Sequence, residues 1–236
     1  MSSNGFFLSE HAYLCVAGDF VVILDLKQDK YLALPAASTR SLSALVPGWP
    51  IGGSPDETGT DSTAHLLAGQ LVSRGILCTE RDTGKSAQPI EYTVAQQDLM
   101  NEGARSPPLR VRSIACFAAA WLTLSVLRRR RPLIHLITRI RRTRSQTRRR
   151  PEDLEPLRDL VCTFDCLRPF AFGQKDACLF DSLVLLEFLA WHGYYPDCVF
   201  GVCAKPFKAH CWLQQEGTVV NDTVEHVASM TPIMVI

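Results

Sequence analysis

Residues 178–191 constrain this chain more than any other stretch. Cys178-Leu-Phe-Asp-Ser-Leu-Val-Leu-Leu-Glu-Phe-Leu-Ala-Trp191 is apolar at most positions and opens on a cysteine. Asp176 is suited to cap it and Gly193 to stop it, which predicts a largely buried helix. At about 100° per residue, Asp181 and Ser182 share the Cys178 face, and Glu187 lies on the opposite side. A thiol in the first turn sits at the positive end of the helix dipole, which favours the thiolate.

A histidine and an aspartate follow at hairpin spacing. Ala209-His-Cys-Trp-Leu-Gln214 and Thr218-Val-Val-Asn-Asp222 read as two short strands around Gln215-Glu216-Gly217. A three-residue loop ending on glycine pairs Gln214 with Thr218, Trp212 with Val220 and His210 with Asp222. Asp222 then accepts from one imidazole nitrogen and the other is left for Cys178. A two-residue Glu216-Gly217 turn would send His210 and Asp222 to opposite faces. The register therefore favours Asp222 over Asn221 as the partner of His210.

These motifs also carry a resemblance. Ala177-Cys178-Leu179-x-x-Ser182-Leu183, Gly201-Val202, Phe207-x-Ala209-His210-x-Trp212 and Asn221-Asp222 resemble the lasso-peptide B proteins over roughly the last 85 residues. Those are leader peptidases with a papain-related, transglutaminase-like fold. The resemblance implies a catalytic triad of Cys178, His210 and Asp222, with Gln174 as a candidate oxyanion donor upstream of the cysteine. It further implies an ATP-dependent lasso cyclase as partner, receiving the core of a cleaved precursor peptide.

The N-terminal third reads as β followed by α. Tyr13–Val16, Phe20–Leu26 and Tyr31–Leu34 are strand-like, broken at Gly18-Asp19 and Lys27-Gln28-Asp29. Pro35 opens a short helix over Ala36–Val46, and a second helix spans Ser62–Arg74 with Gly75 as its terminator. This order resembles the winged-helix-like peptide-recognition domain of enzymes that modify ribosomal peptides. There the leader adds as a strand, which here would use Tyr31, Leu32 and Leu34 with Leu67, Leu71 and Arg74. The competing reading is that these leucines are simply domain core.

The expected organisation is α+β: a winged-helix-like recognition domain over 1–82, a linker over 83–107, and a papain/transglutaminase-like cysteine peptidase domain over 108–236. Within the last, Ile114–Leu127 is an apolar run of fourteen residues, short of the roughly 20 that span a bilayer. Residues 128–150 hold eleven arginines and no acid. The rest of the chain has fourteen basic against twenty-four acidic residues, a net −10. The arginines suit a solvated face or an acidic partner, and residues 1–82 offer no basic helix, so no nucleic acid is expected.

Nine cysteines in 236 residues, with no signal-peptide pattern at the start, point to free thiols in a reducing cytoplasm. Cys162-x-x-x-Cys166, Cys198-x-x-x-x-Cys203 and His210-Cys211 could supply zinc ligands, but none is a tight pair, and buried thiols are the default. No metal or other cofactor is expected. The reading is of a protein that binds a precursor leader and cuts the leader–core bond. The alternatives are a non-catalytic peptide chaperone and a transglutaminase-type acyl transferase.

Overall fold

The computed structural model describes residues 5–52, 61–100, 109–146, 153–171 and 178–236, and the chain forms two units. The first comprises the chain up to Glu91 together with Val202–Lys208 and Thr231–Met234. After a short β1 (Phe7–Ser9), strands β2 (Ala12–Ala17), β3 (Phe20–Asp25) and β4 (Lys30–Pro35) form an antiparallel meander. Ala17 pairs with Phe20 across a two-residue turn in which Gly18 adopts φ 57°, a conformation that glycine accepts without strain. At the next turn Asp25 Oδ1 accepts the amides of Lys27 and Gln28 at 2.8 and 3.2 Å.

Pro35 does open a helix, α1 (Ala36–Thr39), but it tightens into a 3₁₀ segment over Arg40–Ala44. Helix α2 (Asp61–Ser73) ends before Gly75, at φ 74°. Strands β5 (Leu77–Cys78) and β6 (Gly84–Lys85) flank β1. Leu8, Leu14, Val21, Ile23, Leu42, Trp49 and Leu71 make the core of this unit. Leu71 is only 2% exposed and belongs to this core. Leu32, Leu34 and Leu67 are half-buried against that core, and Arg74 is exposed.

The second unit contains β7 (Gln97–Asp98), α3 (Val111–Arg130), α4 (Leu133–Gln146), α5 (Leu154–Leu167) and α6 (Cys178–Trp191). The chain continues through β8 (Asp197–Ala204), β9 (Phe207–Gln215), β10 (Thr218–Val219), α7 (Val224–Val227) and β11 (Thr231–Val235). The strands form one sheet in the order β11-β8-β9-β10-β7. The stretch read as a linker is therefore partly built in: β6 joins the first unit, and β7 pairs in parallel with β10. Polar side chains make that possible, with Gln97 Nε2 donating to Thr218 Oγ1 at 2.8 Å and Gln214 Nε2 donating to the Thr93 carbonyl at 2.7 Å.

Helix α3 has twenty residues where the apolar run alone predicts fourteen. By length and composition it could cross a membrane. Its inner face is committed to the domain, with Cys116, Phe117, Ala120 and Leu124 buried, and it packs against α6. Phe117 meets Phe164 of α5 at 5.3 Å between ring centroids, and Phe164 meets Phe188 of α6 at 5.8 Å. These ring contacts tie α3 and α5 to α6, the helix that opens on Cys178.

The arginine-rich stretch is not wholly a solvated face. Arg139 grips Glu187 of α6 through two bonds of 3.2 and 2.6 Å, and the Arg128 guanidinium lies 5.1 Å above the Phe180 ring. Arg148–Arg150 lie outside the described residues. Arg139→Ala should leave the Glu187 carboxylate buried without its counter-charge. The expected cost is about 2 kcal/mol, between the values for surface and buried pairs. Calorimetry should show a Tm lowered by roughly 4–8 °C; an unchanged Tm would mean the pair is fully offset by desolvation.

Candidate active site

Three elements of the second unit bring Cys178, His210 and Asp222 together. Cys178 is the first residue of α6, His210 lies in β9, and Asp222 follows β10 in a bend before α7. The His210 Nε2–H donates to Asp222 Oδ2. The ring also hydrogen-bonds the Cys178 thiol, and with Nε2 engaged this contact falls to Nδ1. All three side chains are half-buried.

The electrostatics follow from these contacts. The hydrogen bond from His210 lowers the Cys178 pKa, outweighing burial, with the Cys211 and Leu179 amides assisting. Burial alone would favour a neutral His210, but Asp222 and Cys178 together raise its pKa to about 9. Burial likewise opposes a charged Asp222, yet His210, the Thr223 amide and His226 hold its pKa at about 2. These contacts favour the thiolate–imidazolium form of the pair, with the Asp222 carboxylate behind it. Other buried thiols go the other way: burial pushes Cys15 up to about 12 and Cys211 well above the ordinary thiol range.

The hairpin reaches this arrangement by a route that strand counting misses. Thr218 pairs with Gln215 and Val219 with Gln214, so the loop has two residues, Glu216 and Gly217, with Glu216 at φ 52°. Continued in that register, Asp222 would face away from His210. The strand does not continue, because the chain bends at Val220–Asp222 and turns the carboxylate back onto the imidazole. The three-residue loop is thus wrong, although the pair it predicts is formed. Asn221 does point away from His210, accepting the Leu213 amide at 2.7 Å and donating to Ser182 Oγ at 2.9 Å.

Sequence reasoning missed His226. Its Nδ1 lies 3.0 Å from both oxygens of Asp222, and its ring centroid lies 4.6 Å from that of His210. Thr223 caps α7 by accepting the His226 amide at 3.2 Å, which places His226 one helical turn after Asp222. The signal was present as a capping threonine followed three residues later by a histidine.

Gln174 and the expected cap Asp176 lie outside the described residues. Asp181 takes a bidentate contact from Arg168, at 3.0 and 2.8 Å, and is not part of the triad. Of the cysteines considered as zinc ligands, Cys162 and Cys198 are buried, Cys203 half-buried and Cys166 exposed, while the Cys198 and Cys211 sulfurs lie 3.3 Å apart. Among the described residues, donors suited to a metal converge instead at His210, Asp222 and His226, within 4.8 Å of one another. Those atoms are already joined by hydrogen bonds.

Gly201 and Trp212 are coupled by packing: a methyl group on Gly201 would meet the buried Trp212 ring at 2.6 Å. That close approach seats β8 beside the strand carrying His210.

Searches of curated proteins and of solved structures gave no match. A scan of family models matched residues 120–235 to the transglutaminase-like superfamily, a span that covers Cys178, His210 and Asp222. The thiol at a helix start, the imidazole on a neighbouring strand and the carboxylate behind it lie within a transglutaminase-like superfamily domain at residues 120–235.

Proposed function

We propose that this protein is a cysteine peptidase that removes the leader from a ribosomally made lasso-peptide precursor. The observation that supports it is the hydrogen-bonded series Cys178–His210–Asp222, which favours the thiolate and the imidazolium. A transglutaminase-like domain carries papain-like peptidase or acyl-transfer chemistry, and both begin with attack of a thiolate on a carbonyl. Cys178 attacks the leader–core carbonyl, and the first-turn amides of α6 face the developing oxyanion. His210 gives its Nδ1 proton to the leaving amine and later takes one from the water that releases the acyl group. Asp222 holds the ring in the orientation both steps need.

The first unit supplies the substrate grip in this proposal. β4 lies at the edge of the meander, so its outer backbone groups suit an added peptide strand. Tyr31, Leu32, Leu34, Leu67 and Arg74 would line the leader site, with Leu71 supporting it from the core. The freed core would pass to an ATP-dependent lasso cyclase. Incubation with a precursor peptide, read by mass, tests the activity: two fragments support it. An unchanged precursor would favour a peptide chaperone, and a product heavier than the acyl fragment would favour acyl transfer to an amine.

A pH profile tests the assignment of roles. Activity requires both charges of the pair, so it should rise as Cys178 ionises and fall as His210 loses its proton. The acid limb should lie below the ordinary thiol range, and the alkaline limb of kcat/KM should fall at about pH 9. In Asp222→Asn the main influence raising the His210 pKa is gone, so the alkaline limb should move to lower pH. An alkaline limb unmoved by that change would show that Asp222 does not set the charge of the imidazole.

A further inference from the structure

The β9–β10 hairpin stops pairing early, and the β9 backbone groups it leaves open at Leu213 and Cys211 are taken up by side chains. In an antiparallel ladder, the residues of a hydrogen-bonded pair exchange two N–H···O=C bonds. The Thr218–Gln215 register and period-two alternation turn the backbone groups of Gln215, Leu213 and Cys211 toward β10. At Leu213 one of the two bonds forms, from the Val220 amide to the Leu213 carbonyl at 2.9 Å. The other is replaced: the Leu213 amide donates to Asn221 Oδ1 at 2.7 Å. At Cys211 both partners have gone, because the chain has already bent away.

Helix α6 fills that gap. The Cys211 amide bonds the Cys178 sulfur, and the Cys211 carbonyl accepts from Ser182 Oγ at 2.9 Å. Ser182 is one helical turn below Cys178 on the same face and only 1% exposed. Asn221 Nδ2 donates to that same hydroxyl at 2.9 Å. Each of the three residues is thus tied through another close in sequence: Cys178 through Ser182 one helical turn on, His210 through the adjacent Cys211, and Asp222 through the adjacent Asn221.

We propose that Ser182 and Asn221 are positioning residues that fix the Cys178 sulfur against the His210 ring by replacing the missing bonds of the hairpin. The hydroxyl of Ser182 donates to one strand and accepts from the bend, so it sets both the depth and the rotation of α6 relative to β9. Apolar packing alone does not fix these, because α6 is apolar around most of its surface and could slide against its neighbours. The proposal rests on Cys178 as nucleophile.

Alkylation of Cys178 by iodoacetamide in the full-length protein, located by peptide mass and followed against pH, tests this without any peptide substrate. Ser182→Ala and Asn221→Ala should each move the Cys178 midpoint toward the ordinary thiol value. Each should also slow alkylation near neutrality by at least about 10-fold, the scale on which small misplacements act. Ser182→Thr, which keeps the hydroxyl, should restore the profile. If Ser182→Ala fails to fold, Asn221→Ala at its half-exposed position carries the test. A lowered Tm with an unmoved alkylation profile would overturn the proposal and leave these residues merely structural. An ordinary thiol midpoint in the wild-type protein would overturn it together with the nucleophile reading. A depressed wild-type midpoint unchanged in both variants overturns the positioning role alone.

Discussion

Cys178→Ala is expected to release no fragment from a precursor peptide while retaining the peptide as well as the wild-type protein does. Loss of the nucleophile in a triad removes roughly 10⁴-fold or more of the rate, because no other group can form the acyl intermediate. No other cysteine can substitute. Cys211, next to His210 in sequence, is fully buried and its thiol is pushed far up in pKa, and its sulfur lies 3.3 Å from that of Cys198. The substitution should be mild for the fold. The thiol is only half-buried, and α6 remains anchored by Ser182, Glu187 and its apolar residues. Product masses report the cleavage, a pull-down or calorimetric titration reports peptide retention, and Tm reports folding. Cleavage surviving in the variant would remove the cysteine-peptidase reading, and lost retention with intact folding would place Cys178 in the binding surface.

What the sequence displays and what it hides divide along physical lines. Local signals were readable: the apolar run of α6, the Gly18-Asp19 turn and the Gly75 stop all depend on neighbouring residues. The grouping of Cys178, His210 and Asp222 was also legible, through the ordered motifs around the three residues. Its supporting register was not, since two- and three-residue turns both accommodate Glu216-Gly217, and what decides is the bend at Val220–Asp222. That bend is stabilised by a side chain, Asn221, accepting a backbone amide, an event with no periodic signature. Leu71 and Leu67 share a helix face in sequence, and only the packed core shows that the first is fully buried. Likewise Arg139 looks like one of many arginines until α4 carries it to Glu187.

His210→Ala separates the two things the imidazole does. As the proton donor beside the sulfur it lowers the Cys178 pKa; as acid and base in the proposed mechanism it serves the leaving amine and the attacking water. Turnover of a precursor should therefore fall nearly as far as in Cys178→Ala, by about 10³-fold or more. Alkylation of Cys178 by iodoacetamide should behave differently, because that reaction needs only the thiolate. Near neutrality it should slow, since the largest influence lowering the thiol pKa is gone. Raising the pH past the ordinary thiol value should restore alkylation, while peptide cleavage should stay absent because no acid remains for the amine. Asp222 and His226 cannot substitute as that acid. Asp222 bonded the lost ring at the nitrogen not used by the sulfur, and His226 contacts that carboxylate, so both stand behind the ring in the hydrogen-bonded chain that starts at Cys178. Cleavage that recovered together with alkylation at high pH would show that His210 serves only to ionise Cys178, and would assign the leaving-group proton to another donor.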